Sequence, residues 1–385
     1  MTPPRGFKPA EFQRRVAAAQ NLMAQNGIDA LLLTTEPDVR YFTGFLTRFW
    51  ESPTRPWFVV IPSKGAPIAV IPAIGAHLMA LTWITDIRTW RAPDYDDDGI
   101  GLLVDTLAEC APSGGRIALP DQMETHVRMP LAALKALEQR LLDRVLVGDS
   151  AIVRNLRMIK SDAEIAKIET ACRIAERAFD RVHEFAKIGV PLSEVFREFQ
   201  ALCLHEGADW VPYLAGAADQ GGYGDVISPA SDTPLANGDV LMLDTGMVWD
   251  GYFCDFDRNF AVGAPNADVR NAHDRLMEAI QAGASLARPG ATMADLFHAM
   301  NDVVNPGKTG SDAGRLGHGL GMQLTEWPSI IAADETVLVP GMVLTLEPGI
   351  VMQNDKMMVH EENIVITDGA ARFLSDFRPN HMRAL

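Results

Sequence analysis

Two aspartates on either side of a tight turn constrain the fold of this chain more than any other feature of its sequence. Asp244 and Asp255 lie eleven residues apart, and the Asp250-Gly251 dipeptide between them is typical of a two-residue hairpin turn. If the flanking apolar segments pair around this turn, or one residue earlier, Asp244 lies diagonal or opposite to Asp255. Both registers place the two carboxylates on one face, because side chains alternate along a strand.

Carboxylates this close repel each other and raise each other's pKa unless a cation lies between them. A divalent ion is the simplest resolution, whereas a solvated hairpin with two unrelated acids is the alternative. A second predicted hairpin favours the cation. Its strands, 343–347 and 357–366, are joined by a turn at 353–356, and Glu347 and Glu361 stand at apolar positions where an unpaired charge is costly.

A histidine flanked by glycines lies between the two hairpins. Glycines at 317, 319 and 321 remove side-chain bulk around His318 and let the backbone approach closely. An isolated histidine of this kind is more often a packed or hydrogen-bonded core residue. Together, however, four carboxylates and one imidazole suit two borderline divalent ions, such as Mn, Co, Zn or Fe, bridged by a water.

The length of 385 residues favours two domains, since a single hydrophobic core stops growing at roughly 250–300 residues. Helical spacing of apolar residues over 10–25, an apolar strand at 28–33, and a hairpin made by 57–61 and 68–71 predict an N-terminal α/β domain. We expect this domain to span residues 1–152 and a second domain to span 153–385.

The second domain is predicted to repeat one arrangement twice. Ser161 and Glu164 have the spacing of a capping box that begins a long helix, Ser193 is expected to cap the next helix, and the first hairpin follows. Helices at 277–287 and 292–304 then precede the second hairpin. The predicted fold class is α+β: a small N-terminal α/β domain followed by two pseudo-symmetric α-α-β-hairpin halves.

Composition and charge exclude several classes of partner. Fifty acidic residues against 34 basic ones give a formal net charge of −16, which repels nucleic-acid phosphates and anionic membrane surfaces. The first residues contain no apolar run of signal-peptide type, and no stretch reaches the length of a membrane span. The four cysteines lack CxxC spacing and indicate neither disulfides nor a cysteine-based zinc site. We therefore expect a cytoplasmic protein.

The order of the acids and the histidine resembles the pita-bread metallohydrolases, which include Xaa-Pro aminopeptidases, prolidases, methionine aminopeptidases and the metal-free creatinases. The resemblance covers the chain from Val153 to its end, and the N-terminal domain is similar to that of the prolidase and creatinase branch. The resemblance implies catalytic roles for Glu347, as a proton shuttle, and for His318. It also implies a dinuclear metal site whose ligands are Asp244, Asp255, His318, Glu347 and Glu361, with Asp255 and Glu361 bridging.

The sequence departs from the family pattern around the expected substrate. The family histidine about seven residues after the ligand histidine is Thr325 here. The family histidine upstream of the first aspartate is replaced by Tyr223 or Ile227, depending on how an extra loop at 219–225 is counted. No histidine stands there by either count.

A further departure lies just before the last ligand. The arginine usually found two residues before that glutamate is Val359, and His360 is an addition. The substrate pocket is therefore expected to be lined, within this domain, by Tyr223, Thr325, Glu326, Trp327 and His360.

An aromatic and basic segment of the N-terminal domain is a further candidate for substrate binding. Arg55 is predicted to bind a substrate carboxylate, and Trp50 or Trp57 to cover that substrate or a cation with its ring. In the creatinase branch such a loop reaches the active site of the partner subunit, so the resemblance implies a homodimer. A structural loop with surface aromatics is the alternative.

Three functions are compatible with these residues. The leading interpretation is a dinuclear metal-dependent hydrolase resembling Xaa-Pro peptidases, which cleaves an amide bond of a dipeptide or small amide with a metal-bridging hydroxide. The missing histidines keep open a specialised non-peptidase acting on a small zwitterion, like the amidinohydrolases or dimethylsulfoniopropionate lyases of this fold. The Glu326-Trp327-Pro328 segment is similar to those lyases, although Thr325 and Gly246 replace two of their aspartates. A binding-only pseudoenzyme is the third interpretation, and the retained ligands argue against it.

Overall fold

The computed structural model describes residues 2–51, 56–307, 314–378 and 382–385. They form two compact units, one spanning Pro4–Arg157 and the other formed mainly by Met158–Leu385. The predicted boundary at 152/153 falls at the start of the helix Ile152–Met158, and the units divide near the end of that helix. In the described part of the chain, no helix is both long and apolar enough to cross a membrane.

The N-terminal unit is built on a six-stranded mixed sheet. Its helices are α1 (Pro9–Asn26), α2 (Glu36–Thr43), α3 (Ala76–Met79), α4 (Ile100–Cys110), α5 (Leu131–Arg140) and α6 (Ile152–Met158). Its strands are β1 (Ala30–Leu33), β2 (Phe58–Pro62), β3 (Ile68–Pro72), β4 (Asp86–Trp90), β5 (Arg116–Leu119) and β6 (Val145–Gly148). The order across the sheet is β4-β3-β2-β1-β5-β6, and the predicted hairpin is confirmed as antiparallel β2 and β3.

Continuous apolar sequence in β1 and β2 reflects burial on both faces of the sheet. On one face, Leu103, Leu107 and Leu137 of α4 and α5 join the same core cluster as Leu32 and Val60. Helix α1 ends as predicted at Gly27, whose φ of 62° is favourable for glycine and costly for other residues.

The C-terminal unit contains two α-α-β-hairpin halves, as predicted. Its helices are α7 (Asp162–Asp180), α8 (Leu192–His205), α9 (Ala267–Leu286) and α10 (Met293–Val304). The first-half strands are β7 (Trp210–Gln220), β8 (Asp239–Trp249), β9 (Tyr252–Phe253) and β10 (Phe256–Ala261). The later strands are β11 (Gly317–Gly319), β12 (Glu326–Ser329), β13 (Val343–Leu346), β14 (Gly349–Val351), β15 (Met357–Val359), β16 (Glu362–Val365), β17 (Arg372–Phe373) and β18 (Arg383–Ala384).

Helix ends show where local sequence signals suffice and where they do not. The capping box of Ser161 and Glu164 is confirmed at the start of α7. The prediction for α8 is wrong by two positions: Pro191 is the N-cap, and the Ser193 hydroxyl donates to Asp232 Oδ1 at 2.7 Å. Helix α9 begins ten residues earlier than predicted, because Asn266 caps its N-terminus by accepting a hydrogen bond from the Val269 N–H.

Each half forms one sheet, and the last strand of the chain, β18, joins the sheet of the first half. The first sheet has the order β18-β10-β8-β7, with β9 paired to β8, and the second has the order β12-β11-β13-β16-β17. β14 and β15 form a separate two-stranded sheet. The large apolar cluster of this unit includes Leu276 and Ile280 of α9, Met300 of α10, and Leu344 and Ile364 of the second sheet. These packed sheets are the rigid support for the side chains described next.

Candidate metal centre

The first predicted hairpin forms, and its register places three carboxylates on one face. β8 and β9 pair around the predicted turn, and β8 and β10 continue in the same register. Asp257 lies directly opposite Asp244. Asp255 is two residues from Asp257 and therefore diagonal to Asp244, so the diagonal register is the correct one of the two predicted.

The second hairpin sets its two acids across from each other. β13 and β16 are antiparallel and pair Leu346 with Glu362. β14 and β15 continue the hairpin toward its turn in the same register. The residues between these ladders, Glu347 and Glu361, therefore face each other across the hairpin.

His318 lies in the middle of β11, between β12 and β13. A Cβ on Gly317 would lie 2.2 Å from the Thr345 carbonyl oxygen, and one on Gly319 would lie 2.5 Å from the Trp327 carbonyl oxygen, so only glycine fits on either side. His318 Nδ1 lies 2.8 Å from the Gly319 carbonyl oxygen. Because a carbonyl can only accept, Nδ1 carries the proton and the Nε2 lone pair is available to a metal.

The five predicted ligands converge on one place. Ligand oxygens of Asp244, Asp255 and Glu361 all lie within 4.8 Å of one another. His318 Nε2 lies 3.2 Å from Asp255 Oδ2 and 3.6 Å from Glu347 Oε2. Four of the five residues are buried, while the Glu347 side chain is 26% exposed. The open side of the cluster is therefore at Glu347.

The electrostatics of the four carboxyls are unfavourable without a cation. Burial raises the pKa of Asp244, and the neighbouring charges of Asp255 and Glu347 raise it further. Burial likewise raises the pKa of Glu361, with added repulsion from the other three acids. Burial also raises the pKa of Asp255 and of Glu347, against the opposing effect of positive charge at Arg315.

Two oxygens of this cluster also have unmet hydrogen-bonding capacity. Asp244 Oδ1 and Glu347 Oε2 are buried and have no hydrogen-bond partner. A buried carboxylate oxygen without a partner is costly, and a divalent cation would supply the missing interaction and cancel the mutual repulsion. The donor set and its surroundings therefore fit a metal site.

Neighbouring polar groups orient the ligands. The Asp255 N–H donates to Asn363 Oδ1 at 3.0 Å, and the Asp255 carbonyl oxygen accepts from Asn363 Nδ2 at 2.6 Å and from Thr345 Oγ1 at 3.0 Å. The Tyr213 hydroxyl hydrogen-bonds to the Asp244 side chain. Such contacts fix the direction of a ligand before a metal binds.

Sequence reasoning missed three residues at this centre: Tyr213, Asp257 and Arg315. Asp257 could have been predicted, because it follows Asp255 by two residues and residues at this spacing lie on the same face of a strand. Tyr213 lies near Asp244 because β7 pairs with β8, and no local sequence pattern predicts this pairing. Arg315 Nε lies 4.0 Å from Glu347 Oε2, its Nη2 donates to Thr325 Oγ1 at 3.3 Å, and its side chain is 34% exposed.

The residues predicted to line the substrate pocket fall into different environments. Thr325 lies near the open side, in contact with Arg315. Glu326 is buried instead, paired with Lys160 at 3.0 Å and accepting the Met322 N–H at 2.8 Å. A carboxylate with these partners supports the chain fold, and the substrate contact of Glu326 stays a prediction. Trp327 is partly exposed beside it.

Two further candidates, Tyr223 and His360, are buried. The Tyr223 hydroxyl accepts the Val359 N–H at 2.7 Å and donates to Asn259 Oδ1 at 3.1 Å, inside the core, whereas Ile227 is 77% exposed. Both ring nitrogens of the buried His360 face carboxylates of the chain itself. The contacts of Tyr223 and His360 lie within the chain, and a substrate contact for either residue stays a prediction.

The N-terminal candidates are placed by the interior of their own unit. The residues Trp50 and Trp57 are 8% and 2% exposed, and their rings are 5.9 Å apart. Trp57 also packs against Phe45. Within this unit neither ring offers a face to a ligand, which favours the structural alternative. Arg55 lies outside the described residues.

Comparison with known proteins gives matches over nearly the whole chain. The profile of metallopeptidase family M24 matches residues 166–368, and that of the creatinase/prolidase N-terminal domain matches residues 15–159. A probable dipeptidase, PepE, from Mycobacterium tuberculosis is 29% identical over 371 residues, 95% of each chain. An Xaa-Pro dipeptidase from Pyrococcus horikoshii is 26% identical over 94% of this chain and 97% of its own. The crystal structure of dipeptidase PepE from Mycobacterium ulcerans has a TM-score of 0.83 and 28% identity, covering 98% of this chain and 99% of its own.

Proposed function

Because the chain belongs to metallopeptidase family M24, we propose that it is an Xaa-Pro dipeptidase-like enzyme that cleaves the amide bond of a dipeptide or small amide. The chain is a metallopeptidase of this family. The proposal rests on the convergence of four carboxylates and one imidazole, distant in sequence, into one largely buried cluster.

We propose that the cluster holds two divalent ions, of Mn, Co, Zn or Fe. The proposed ligands are Asp244, Asp255, His318, Glu347 and Glu361. When bound, such a pair supplies a water of lowered pKa as the nucleophile and polarises the scissile carbonyl. Four carboxylates can neutralise the charge of two divalent ions, while the neutral imidazole of His318 adds a donor without adding charge.

Glu347 is the proposed proton carrier. Its Oε2 is without a hydrogen-bond partner, and its side chain is the most exposed of the five. An oxygen in this position can accept the proton of the attacking water and pass it to the leaving amine.

Arg315 is the proposed partner of the substrate carboxylate. It lies at the open side of the cluster, beside Glu347 and Thr325, and one third of its side chain is exposed. A guanidinium pairs with a carboxylate through two parallel hydrogen bonds. In an enzyme with a net charge of −16, a local cation also offsets the repulsion of an anionic substrate. We therefore propose a dipeptide with a free carboxylate as the substrate class.

A second candidate function is a non-peptidase activity on a small zwitterion. It is favoured by the scarcity of imidazoles at the centre: Thr325 stands where the family has a histidine, and His360 is turned onto carboxylates of the chain. The same cation and carboxylate cluster could hold the two ends of a zwitterion.

A panel of substrates separates these functions. We expect the protein to release proline or another residue from Xaa-Pro dipeptides, to lose this activity on chelation, and to regain it when Mn²⁺ or Co²⁺ is added back. Full hydrolysis after chelation would contradict the metal mechanism. Turnover of betaine-like solutes without any dipeptide hydrolysis would select the second candidate.

The cellular setting is also a proposal. All four cysteines are free in the structure, which is compatible with a reducing cytoplasm. A homodimer in which the N-terminal domain reaches the partner's active site is proposed from the family resemblance alone.

A further inference from the structure

A fifth carboxylate, which has no role in the proposed mechanism, faces the metal centre. Asp257 is fully buried and pairs directly with Asp244 across β8 and β10. The strand pleat turns it to the same face as Asp244 and Asp255. A fully buried carboxylate needs specific partners, so its contacts indicate its role.

Asp257 contacts the backbone of Glu361, one of the proposed metal ligands. Its Oδ1 accepts the backbone N–H of Glu361 at 2.8 Å, and its Oδ2 accepts from Asn259 Nδ2 at 3.3 Å. Asn259 Nδ2 also donates to the Val359 carbonyl oxygen at 2.6 Å. Asp257 therefore holds the segment that carries Glu361 against the strand that carries Asp255.

The neighbouring arginine does not neutralise this carboxylate through a side-chain pair. Arg258 directs its guanidinium to the backbone carbonyl oxygens of Asp257 and Glu361 and to the carboxylates of Glu176 and Glu362. Among the described residues, the side chain with an ionisable nitrogen within 4 Å of the Asp257 carboxylate is His360.

His360 lies behind Asp257 and connects it to the other hairpin strand. Its Nδ1 lies 3.5 Å from Asp257 Oδ1 without a hydrogen bond between them, and its Nε2 is 3.1 Å from Glu362 Oε1. Its backbone N–H donates to the Pro348 carbonyl oxygen at 3.2 Å, one residue after Glu347. The imidazole ring of His360 therefore packs beside the Asp257 carboxylate. The backbone hydrogen bond of His360 to Pro348 links the segment that carries Glu361 to the segment that carries Glu347.

We propose that Asp257 is a positioning residue of the metal centre, which fixes Glu361 toward the metal and adds a negative charge beside Asp244, and that His360 supports it from behind. The inference rests on the metal site of the proposed function, and it concerns the affinity for divalent cations. Groups in contact with metal ligands commonly change metal affinity by about 10–100-fold when replaced.

The test measures metal binding by the full-length, metal-stripped protein, independently of hydrolysis. Asp257→Asn keeps an oxygen for the Glu361 N–H and removes the charge. We expect the dissociation constant for Mn²⁺, measured by titration calorimetry, to rise about tenfold or more, without a lower melting temperature of the metal-free protein. His360→Gln should weaken binding in the same direction by a smaller factor.

Asp368→Asn is the matched control, because it removes one charge from an exposed position of the same domain. Its Mn²⁺ affinity should equal that of the wild type. An Asp257→Asn affinity within about twofold of wild type would overturn the inference while leaving the proposed function intact. Wild-type protein that binds no Mn²⁺, Co²⁺, Zn²⁺ or Fe²⁺ would instead refute the proposed metal site, and this inference with it.

Discussion

Replacing one metal ligand by its amide should stabilise the metal-free protein. Asp244 is buried, its Oδ1 has no hydrogen-bond partner, and Asp255 and Glu347 repel its charge. Asp244→Asn removes the charge but keeps an oxygen that can accept from Tyr213. Its new N–H groups can donate to the neighbouring carboxylates. The usual expectation that a buried polar substitution destabilises is therefore reversed here.

The size of the effect follows from the cost of the unmet interaction. An unsatisfied buried polar group costs about 1–3 kcal/mol, and more when it is charged. In a domain of this size, each kcal/mol shifts the melting temperature by roughly 2–4 °C. We expect the melting temperature of metal-stripped Asp244→Asn to exceed that of the metal-stripped wild type by roughly 2–12 °C at a pH above about 7.

Thermal unfolding followed by circular dichroism, with and without Mn²⁺, measures this prediction. The rise on adding Mn²⁺ should be large for the wild type and small for Asp244→Asn. Asp239→Asn is a matched control on the same strand, because Asp239 is buried but accepts the Ala236 N–H at 2.8 Å. It should not raise the melting temperature. A metal-free Asp244→Asn protein less stable than the wild type would refute the reasoning.

Three further predictions follow from the same contacts. Folded-state pKa values of the cluster carboxyls are raised, so the folded protein binds more protons than the unfolded chain. The contribution of these groups to the stability of the metal-free protein should therefore be greatest below about pH 4 and should fall as the pH rises. The stabilisation by added Mn²⁺ should grow over the same range. A difference in melting temperature with and without Mn²⁺ that stays constant between about pH 5 and pH 8 would contradict this. Arg315→Ala should raise KM for an Xaa-Pro dipeptide by at least about tenfold and leave KM for the matching dipeptide amide little changed; equal effects on both would exclude carboxylate binding. Lys160→Met should cost about 3–5 kcal/mol in urea unfolding, because Glu326 would remain buried without its cation, whereas a loss below about 1 kcal/mol would mean that backbone N–H groups suffice.

Much of the fold could be predicted because its signals are local. The Asp250-Gly251 turn fixes the first hairpin, and strand alternation then places Asp244 and Asp255 on one face whichever register forms. The glycines around His318 indicate a close backbone approach, which the contacts at Thr345 explain. The first ten residues of α9 were not predicted because their apolar stripe is interrupted by polar residues, and the Asn266 cap decides where the helix begins.

The substrate side of the site could not be predicted to the same degree. His360 is next to a ligand in sequence and Tyr223 stands near the position of a family histidine, but hydrogen bonds to the backbone and to carboxylates of the chain hold both side chains in the core. The Glu326 carboxylate accepts a hydrogen bond from Lys160, which lies 166 positions earlier in the chain. Such pairings depend on tertiary contacts, and no local pattern in the sequence encodes them.

The most direct test of the proposed dinuclear metal site is the metal content of the purified protein after dialysis against metal-free buffer. Inductively coupled plasma mass spectrometry measures this content. Wild-type protein loaded with Mn²⁺ should retain about two ions per chain, and Glu361→Gln should retain fewer. Wild-type protein that retains none of the divalent ions tested, yet hydrolyses its substrate at full rate, would contradict the account.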